Sequence, residues 1–161
     1  MNIAVLHEAA FEYGGGMRVV DCLGEKINAD IFIGFANDEA VAKSTNKPRV
    51  LSKKEIEGKR RAVESMIKFP LISLRDYDIV IESGSGTHWY LPRGGQKIIR
   101  YVHSVPLSYK SNNTFDVISR KIRKPTIKTA DAYVANSEQT SKEIEKHLNR
   151  KSTVIYPPVA V

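Results

Sequence analysis

At 161 residues the chain has the size of one domain and can bury about two-thirds of its surface on folding, so its core needs no disulfide staples. Its single cysteine, Cys22, cannot close an internal disulfide, and no run approaches the ~18 consecutive apolar residues of a membrane span, so we expect a soluble, reduced, cytoplasmic chain without a signal peptide. The formal charge of +7 gathers in residues 43–68 and 110–128 and favours a phosphorylated substrate or an anionic membrane surface, or else marks a solvated face; with no stacking platform, zinc spacing or reading helix beside it, the charge argues against nucleic acid.

The first element is an apolar strand over 3–6, followed by Gly14, Gly15 and Gly16 and a helical pattern over 17–27. Backbone N–H groups at such a helix start are unpaired and carry the positive end of the dipole, and glycine lets a phosphate oxygen approach without a Cβ in the way. The dinucleotide fingerprint G-x-G-x-x-G is not met, since its third glycine falls on Val19 and the loop over 7–13 is too long, and no Gly-Lys-Ser or Gly-Lys-Thr follows. A loop without a ligand stays open as the alternative. Bulk at Gly15 or Gly16 should be damaging in either case, through a positive φ or through a blocked approach.

Further strands are expected over 31–35, 79–81, 98–102, 132–135 and 153–156, with helices over 53–67, 115–129 and 137–148. In the last helix Ser137 is the expected N-cap, with Thr140 and Glu143 as a competing capping box. Asp76 and Asp78 precede their strand and read as a turn at its far edge rather than as metal ligands. Strand alternating with helix implies an α/β fold, a single Rossmann-like domain whose parallel sheet carries helices on both faces.

Ligands of such sheets bind beyond the carboxyl ends of the strands. That rule gathers His7 and Glu8, the segment Ser83 to His88, His103 with Ser104, and Asn136 with Ser137 on one rim beside the glycine turn. Ser83, Ser85 and His88 can hydrogen-bond sugar hydroxyls or serve ordinary turn chemistry. A hydrolase triad of Ser104, His7 and Glu8 is set aside because no G-x-S-x-G surrounds any serine. In residues 53–69, Ile56, Val63, Met66, Ile67 and Phe69 alternate with lysines and arginines, an amphipathic pattern suited to anionic lipid or to packing on the sheet.

With the rim assembled, the chain resembles the N-terminal domain of a family 4 glycosyltransferase of the GT-B fold, mannosyltransferase-like in detail. The carriers are the glycine turn into Met17-Arg18-Val19-Val20, the segment Tyr101-Val102-His103-Ser104-Val105-Pro106, and the stretch Asp131-Ala132-Tyr133-Val134-Ala135-Asn136-Ser137 leading to Val154-Ile155-Tyr156-Pro157-Pro158-Val159. The resemblance implies an acceptor-binding domain over 1–156, the start of an interdomain linker over 157–161, and a C-terminal donor domain as partner, fused or separate. It implies transfer of a hexose, with mannose the candidate, from a nucleotide sugar to a glycan or lipid-linked acceptor, with retention and with no activity in this domain alone. His103 would polarise the acceptor hydroxyl, Gly15 and Gly16 would approach the donor diphosphate, and Glu8, Ser83, Ser85, His88, Ser104, Asn136 and Ser137 would contact substrate. No cofactor is expected on this domain alone and no metal; the nucleotide sugar is a co-substrate. The family's paired donor-binding glutamates are absent, and Ala160 stands where relatives carry an acid. The alternative is a non-catalytic module that keeps the fold and binds a glycan or an anionic surface, peripheral at the inner face of the membrane in either case.

Overall fold

The computed structural model describes residues 1–105, 114, 117, 118, 121 and 130–158. Apart from 117, 118 and 121, the helix expected over 115–129 lies outside the described residues, as do Pro106, most of the second basic segment, and residues 159–161.

Among the described residues seven strands form one sheet: β1 (Ile3–Ala10), β2 (Asp30–Ala36), β3 (Arg49–Val50), β4 (Ile79–Ser83), β5 (Lys97–Val102), β6 (Ala132–Ala135) and β7 (Thr153–Val154). Their spatial order is β3-β2-β1-β4-β5-β6-β7, every pair parallel. This is the doubly wound order, and its reversal falls between β1 and β4. The strands are mostly apolar because both faces are covered, with His7, Glu8, Glu82, Ser83 and Arg100 as buried polar exceptions.

The helices that lie wholly among the described residues are α1 (Gly15–Lys26), α2 (Asp38–Ala42), α3 (Gly58–Lys68) and α4 (Glu138–Leu148). Alternation along β1 sends Val5 toward Met17, Val20 and Ile33 in one buried cluster, and Ala4 and Leu6 toward Phe35, Phe69 and Ile144 in the other. The α1 helix therefore covers one face, and α3 and α4 contribute to the other. Ser137 caps α4 by accepting the N–H of Thr140, as expected, and Asn149 closes it in the left-handed conformation.

Several boundaries differ from the sequence reading. The β1 strand runs to Ala10, so His7 and Glu8 are strand residues rather than loop residues. The α3 helix begins at Gly58 rather than near 53, and the apolar positions of the 53–69 stretch divide: Ile56 before the helix and Phe69 after it are buried and Met66 packs on the core, whereas Val63 and Ile67 face outward at 44% and 61% exposure. The side chains read as one apolar face thus point two ways, because Val63 and Ile67 are one helical turn apart on the side away from the sheet. No described helix is long and apolar enough to cross a membrane.

Candidate active site

His7 on β1 and Ser83 on β4 are register partners across the strand-order reversal. The Ser83 hydroxyl lies 3.1 Å from His7 Nδ1 and 2.8 Å from His103 Nε2, so one buried serine joins an imidazole from β1 to the imidazole that follows β5. Tyr101 meets the His103 ring edge-on at 5.1 Å, and its hydroxyl donates to the Ile155 carbonyl at 3.0 Å, bracing the ring from behind. Burial and the repulsion of a charged His103 lower the His7 pKa to about 4, against a smaller upward pull from Glu8; burial lowers that of His103 as well. Both rings are therefore neutral near pH 7.

The described cleft beside this chain has a volume of about 280 Å³ and is lined by Gly84, Ser85, His88, Tyr101, His103 and Ser104, among others. Four of the expected rim residues, Ser85, His88, His103 and Ser104, thus share one concave surface. His88 is backed by Glu82, whose Oε2 lies 3.7 Å from Nδ1 and accepts Arg100 Nε at 2.5 Å. Gly84 adopts φ +102°, and a Cβ there or at Gly86 would come within 2.8 and 2.6 Å of the Glu8 side chain. Those two glycines are demanded by the backbone packing on β1.

Gly14, Gly15 and Gly16 are not. None has a positive φ; a Cβ at Gly14 or Gly15 would meet nothing within 4 Å, and one at Gly16 would sit 3.5 Å from His7 Cε1, an ordinary contact. The expectation that bulk must break the turn through a positive φ is therefore corrected. Gly14 occupies the N-cap position without a side-chain cap, and the first turn of α1 holds no acidic residue. The helix thus opens without a side-chain cap, and at Gly15 and Gly16 in its first turn alanine would serve the fold equally well.

The remaining expected residues sit apart from the cleft lining. Glu8 lies on the α3 side of the sheet, where its carboxylate accepts the Ser85 hydroxyl at 3.0 Å and faces Arg61 Nε at 3.4 Å, so it is not beside the glycine turn. Ser137 is occupied as the cap of α4, and Asn136 Oδ1 accepts the Thr140 hydroxyl at 2.7 Å. Thr140 in turn reaches the His103 carbonyl at 3.5 Å, so this corner supports His103 from the main-chain side. Asp78 accepts the main-chain N–H of Asn2 at 2.7 Å, tying the N-terminus to the turn before β4. Sequence reasoning passed over Glu82 and Arg100 and left His7 outside the chosen set. A charge in the middle of Ile-Val-Ile-Glu-Ser and another in Lys-Ile-Ile-Arg-Tyr, on strands with apolar neighbours, was the available signal, for the two are register partners.

Residues 38–161 match the sequence profile of Glycosyltransferase Family 4. The chain belongs to that family. The match takes in Ser83, His88 and His103, while β1, α1 and β2 precede it. No curated protein matches the sequence significantly. Among solved structures, the fold is similar to HepE from Anabaena in complex with UDP, at 12% identity and TM-score 0.65 over 99% of this chain and 44% of that one. HepE in complex with UDP and glucose gives 13% identity and TM-score 0.65, over 99% and 45%. Sucrose-phosphate synthase from Thermosynechococcus elongatus gives 9% identity and TM-score 0.53, over 98% of this chain and 90% of that one. The chain therefore spans less than half of HepE, and at these identities the likeness is one of fold.

Two stability measurements follow from this geometry. Gly15→Ala and Gly16→Ala should leave the melting temperature unchanged or raise it, by up to about 1 kcal/mol of stability, because helical backbone and open space accept a methyl group. A lowered His7 pKa means that the unfolded chain binds more protons between pH 6.5 and about 4, so stability should fall with pH through that window, by on the order of 3 kcal/mol at most. Chemical denaturation across that range should show a shallower acid limb for His7→Gln than for the wild type.

Proposed function

We propose that this chain is the acceptor-binding half of a sugar-nucleotide-dependent glycosyltransferase, completed by a donor-binding domain. The observation that carries the reading is the juxtaposition at the strand-order reversal: an uncapped, glycine-opened helix start stands on one side of His7 and Ser83, and the His103 cleft on the other. The complexes of HepE with UDP and with UDP and glucose support a nucleoside diphosphate sugar as donor. The sequence resemblance favours a hexose, mannose above others, a glycan or lipid-linked acceptor, and retention at the anomeric carbon.

In this reading the acceptor hydroxyl lies in the cleft against neutral His103, which hydrogen-bonds and polarises it. The acceptor oxygen bonds to the anomeric carbon as the bond from that carbon to the diphosphate oxygen breaks, its electron pair leaving with the nucleotide and the acceptor hydroxyl proton passing to the departing diphosphate oxygen. Charge then builds on the diphosphate, where the N–H groups of Gly15 and Gly16 stand unpaired. Ser85, His88 and Ser104, which line the same cleft, would bind acceptor hydroxyls. Glu8, in its pair with Arg61, holds the Ser85 turn.

The test is transfer by the chain joined to a family donor domain, against this chain alone. Transfer should need both halves, and His103→Ala should lower turnover by roughly 10²- to 10⁴-fold with the far-UV circular dichroism unchanged. Gly16→Ala should weaken nucleotide-sugar affinity while stability holds. Near-normal turnover in His103→Ala would remove it from the chemistry. Glycan binding without any transfer would favour the non-catalytic module.

A lipid-facing role for α3 is favoured by a separate observation. Val63 and Ile67 on α3 and Leu71 in the 3-10 turn that follows it stand 44%, 61% and 73% exposed, and Lys59 and Arg60 share the helix with the first two. Sedimentation with phosphatidylglycerol vesicles should carry the chain down, phosphatidylcholine vesicles should not, and Ile67→Glu should abolish the effect. Equal recovery of wild type and variant would sink the idea.

A further inference from the structure

A serine hydroxyl has one proton to give and two lone pairs to receive with. Ser83 is fully buried, and its Oγ lies within hydrogen-bonding distance of nitrogens from two different imidazoles, His7 Nδ1 and His103 Nε2. Among the described residues its hydroxyl meets no third side chain. With both rings neutral, the bonding pattern that uses the single Ser83 proton has one direction along its length. If Ser83 donates to His7 Nδ1, then His103 Nε2 must carry a proton and donate to Ser83, which leaves the lone pair of His103 on Nδ1. If Ser83 donates to His103 Nε2, the His103 proton sits on Nδ1, and His7 Nδ1 must be the donor. The two tautomers are therefore interlocked. Two bare nitrogens would compete for one proton, leaving a buried acceptor unsatisfied.

We propose that His7 is a positioning residue, which acts through Ser83 to hold His103 in a single neutral tautomer and so decides whether the cleft meets a hydrogen-bond donor or a lone pair. Its bearing on transfer rests on the function proposed above; the lock itself does not.

The surroundings suit such a role. His7 is held on β1 opposite Ser83 by strand register, so the link needs no loop to stay in place. The ring centroids are 6.4 Å apart, close enough that protonating one ring opposes protonating the other. The groups that face the pair are Glu8, adjacent on β1 and favouring a charged His7, the main chain of Ser83 and Ala9, whose hydrogen bonds to the His7 ring favour its protonation, the first turn of α1 at Gly16 with its positive dipole end opposing it, and Tyr101 against His103. Burial acts on both rings in the neutral direction.

Ring nitrogen shifts read a tautomer directly, without donor, acceptor or a second domain. Long-range proton–nitrogen correlation spectra of the ¹⁵N-labelled chain at pH 7 should show one neutral tautomer of His103, exceeding the other by more than the few-fold bias of a free histidine side chain. Ser83→Ala and His7→Phe should each return His103 toward the free mixture, a change of roughly fivefold or more in the ratio, as loss of one buried hydrogen bond implies. His7→Phe is the sharper variant, since it does not touch His103 chemically and keeps the ring volume. A free-like mixture in the wild type, or an unchanged His103 ratio in whichever variant folds, overturns the lock. A failed transfer assay alongside a locked His103 would count against the proposed function only.

Discussion

The pairing of β1 with β4 is the constraint on which the candidate active site depends. Strands β2 and β3 extend the sheet from one edge of β1, while β4 begins its growth from the other, so the segments leaving the carboxyl ends of β1 and β4 are carried apart. The chain after β1 turns into α1 on one face, and the chain after β4 turns through the short helical segment Gly86–Trp89. A crevice is left between them. His7 and Ser83 fall at its floor because they are the last register pair of the β1–β4 ladder. Their hydrogen bond is thus as well defined as the sheet itself.

The polar residues buried beside the crevice give its walls their stiffness. Glu82 and Arg100 face each other across the β4–β5 ladder with side chains almost wholly withdrawn from water, and His88 leans on the same carboxylate. An ion pair at such depth adds little net stability, since desolvation offsets most of its attraction, but losing one partner leaves an uncompensated charge. A packed hydrophobic pair would not orient an imidazole. On the neighbouring strand Glu8 is enclosed by Gly84 and Gly86 and receives the Ser85 hydroxyl, so the turn after β4 is clasped to β1 from above and below. The cleft wall at Ser85 and His88 is fixed by carboxylates that do not themselves line the cleft.

The glycine turn stands in contrast to this. Gly84 and Gly86 are required by packing, whereas Gly14, Gly15 and Gly16 have ordinary backbone angles and room for a side chain. Glycine in a helix start without a structural demand forgoes helix stability for space. That space lies against His7 on one side and is open on the other, and the anion seat proposed for this helix start relies on it.

Much of this was legible in the residues alone. Apolar, β-branched runs alternating with helical patterns set the α/β class, because strands covered on both faces cannot afford polar alternation, and Ser137 announced the start of α4 through its place before Glu138 and Thr140. The location of His103, Ser85, His88 and Ser104 on one rim followed from the rule that strand ends face the ligand. What depended on tertiary structure was which of two neighbouring side chains points where. His7 and Glu8 are adjacent in sequence, yet alternation within a strand longer than expected sends one to the α1 face and the other to the α3 face. Val63 and Met66 share a helix and a chemistry, yet only the second lies on the face of α3 turned to the core, where it is partly buried, while the first is exposed. The link from His7 through Ser83 to His103 spans three strands, and no local pattern encodes it, because its distances are set by the register of parallel strands far apart in the chain.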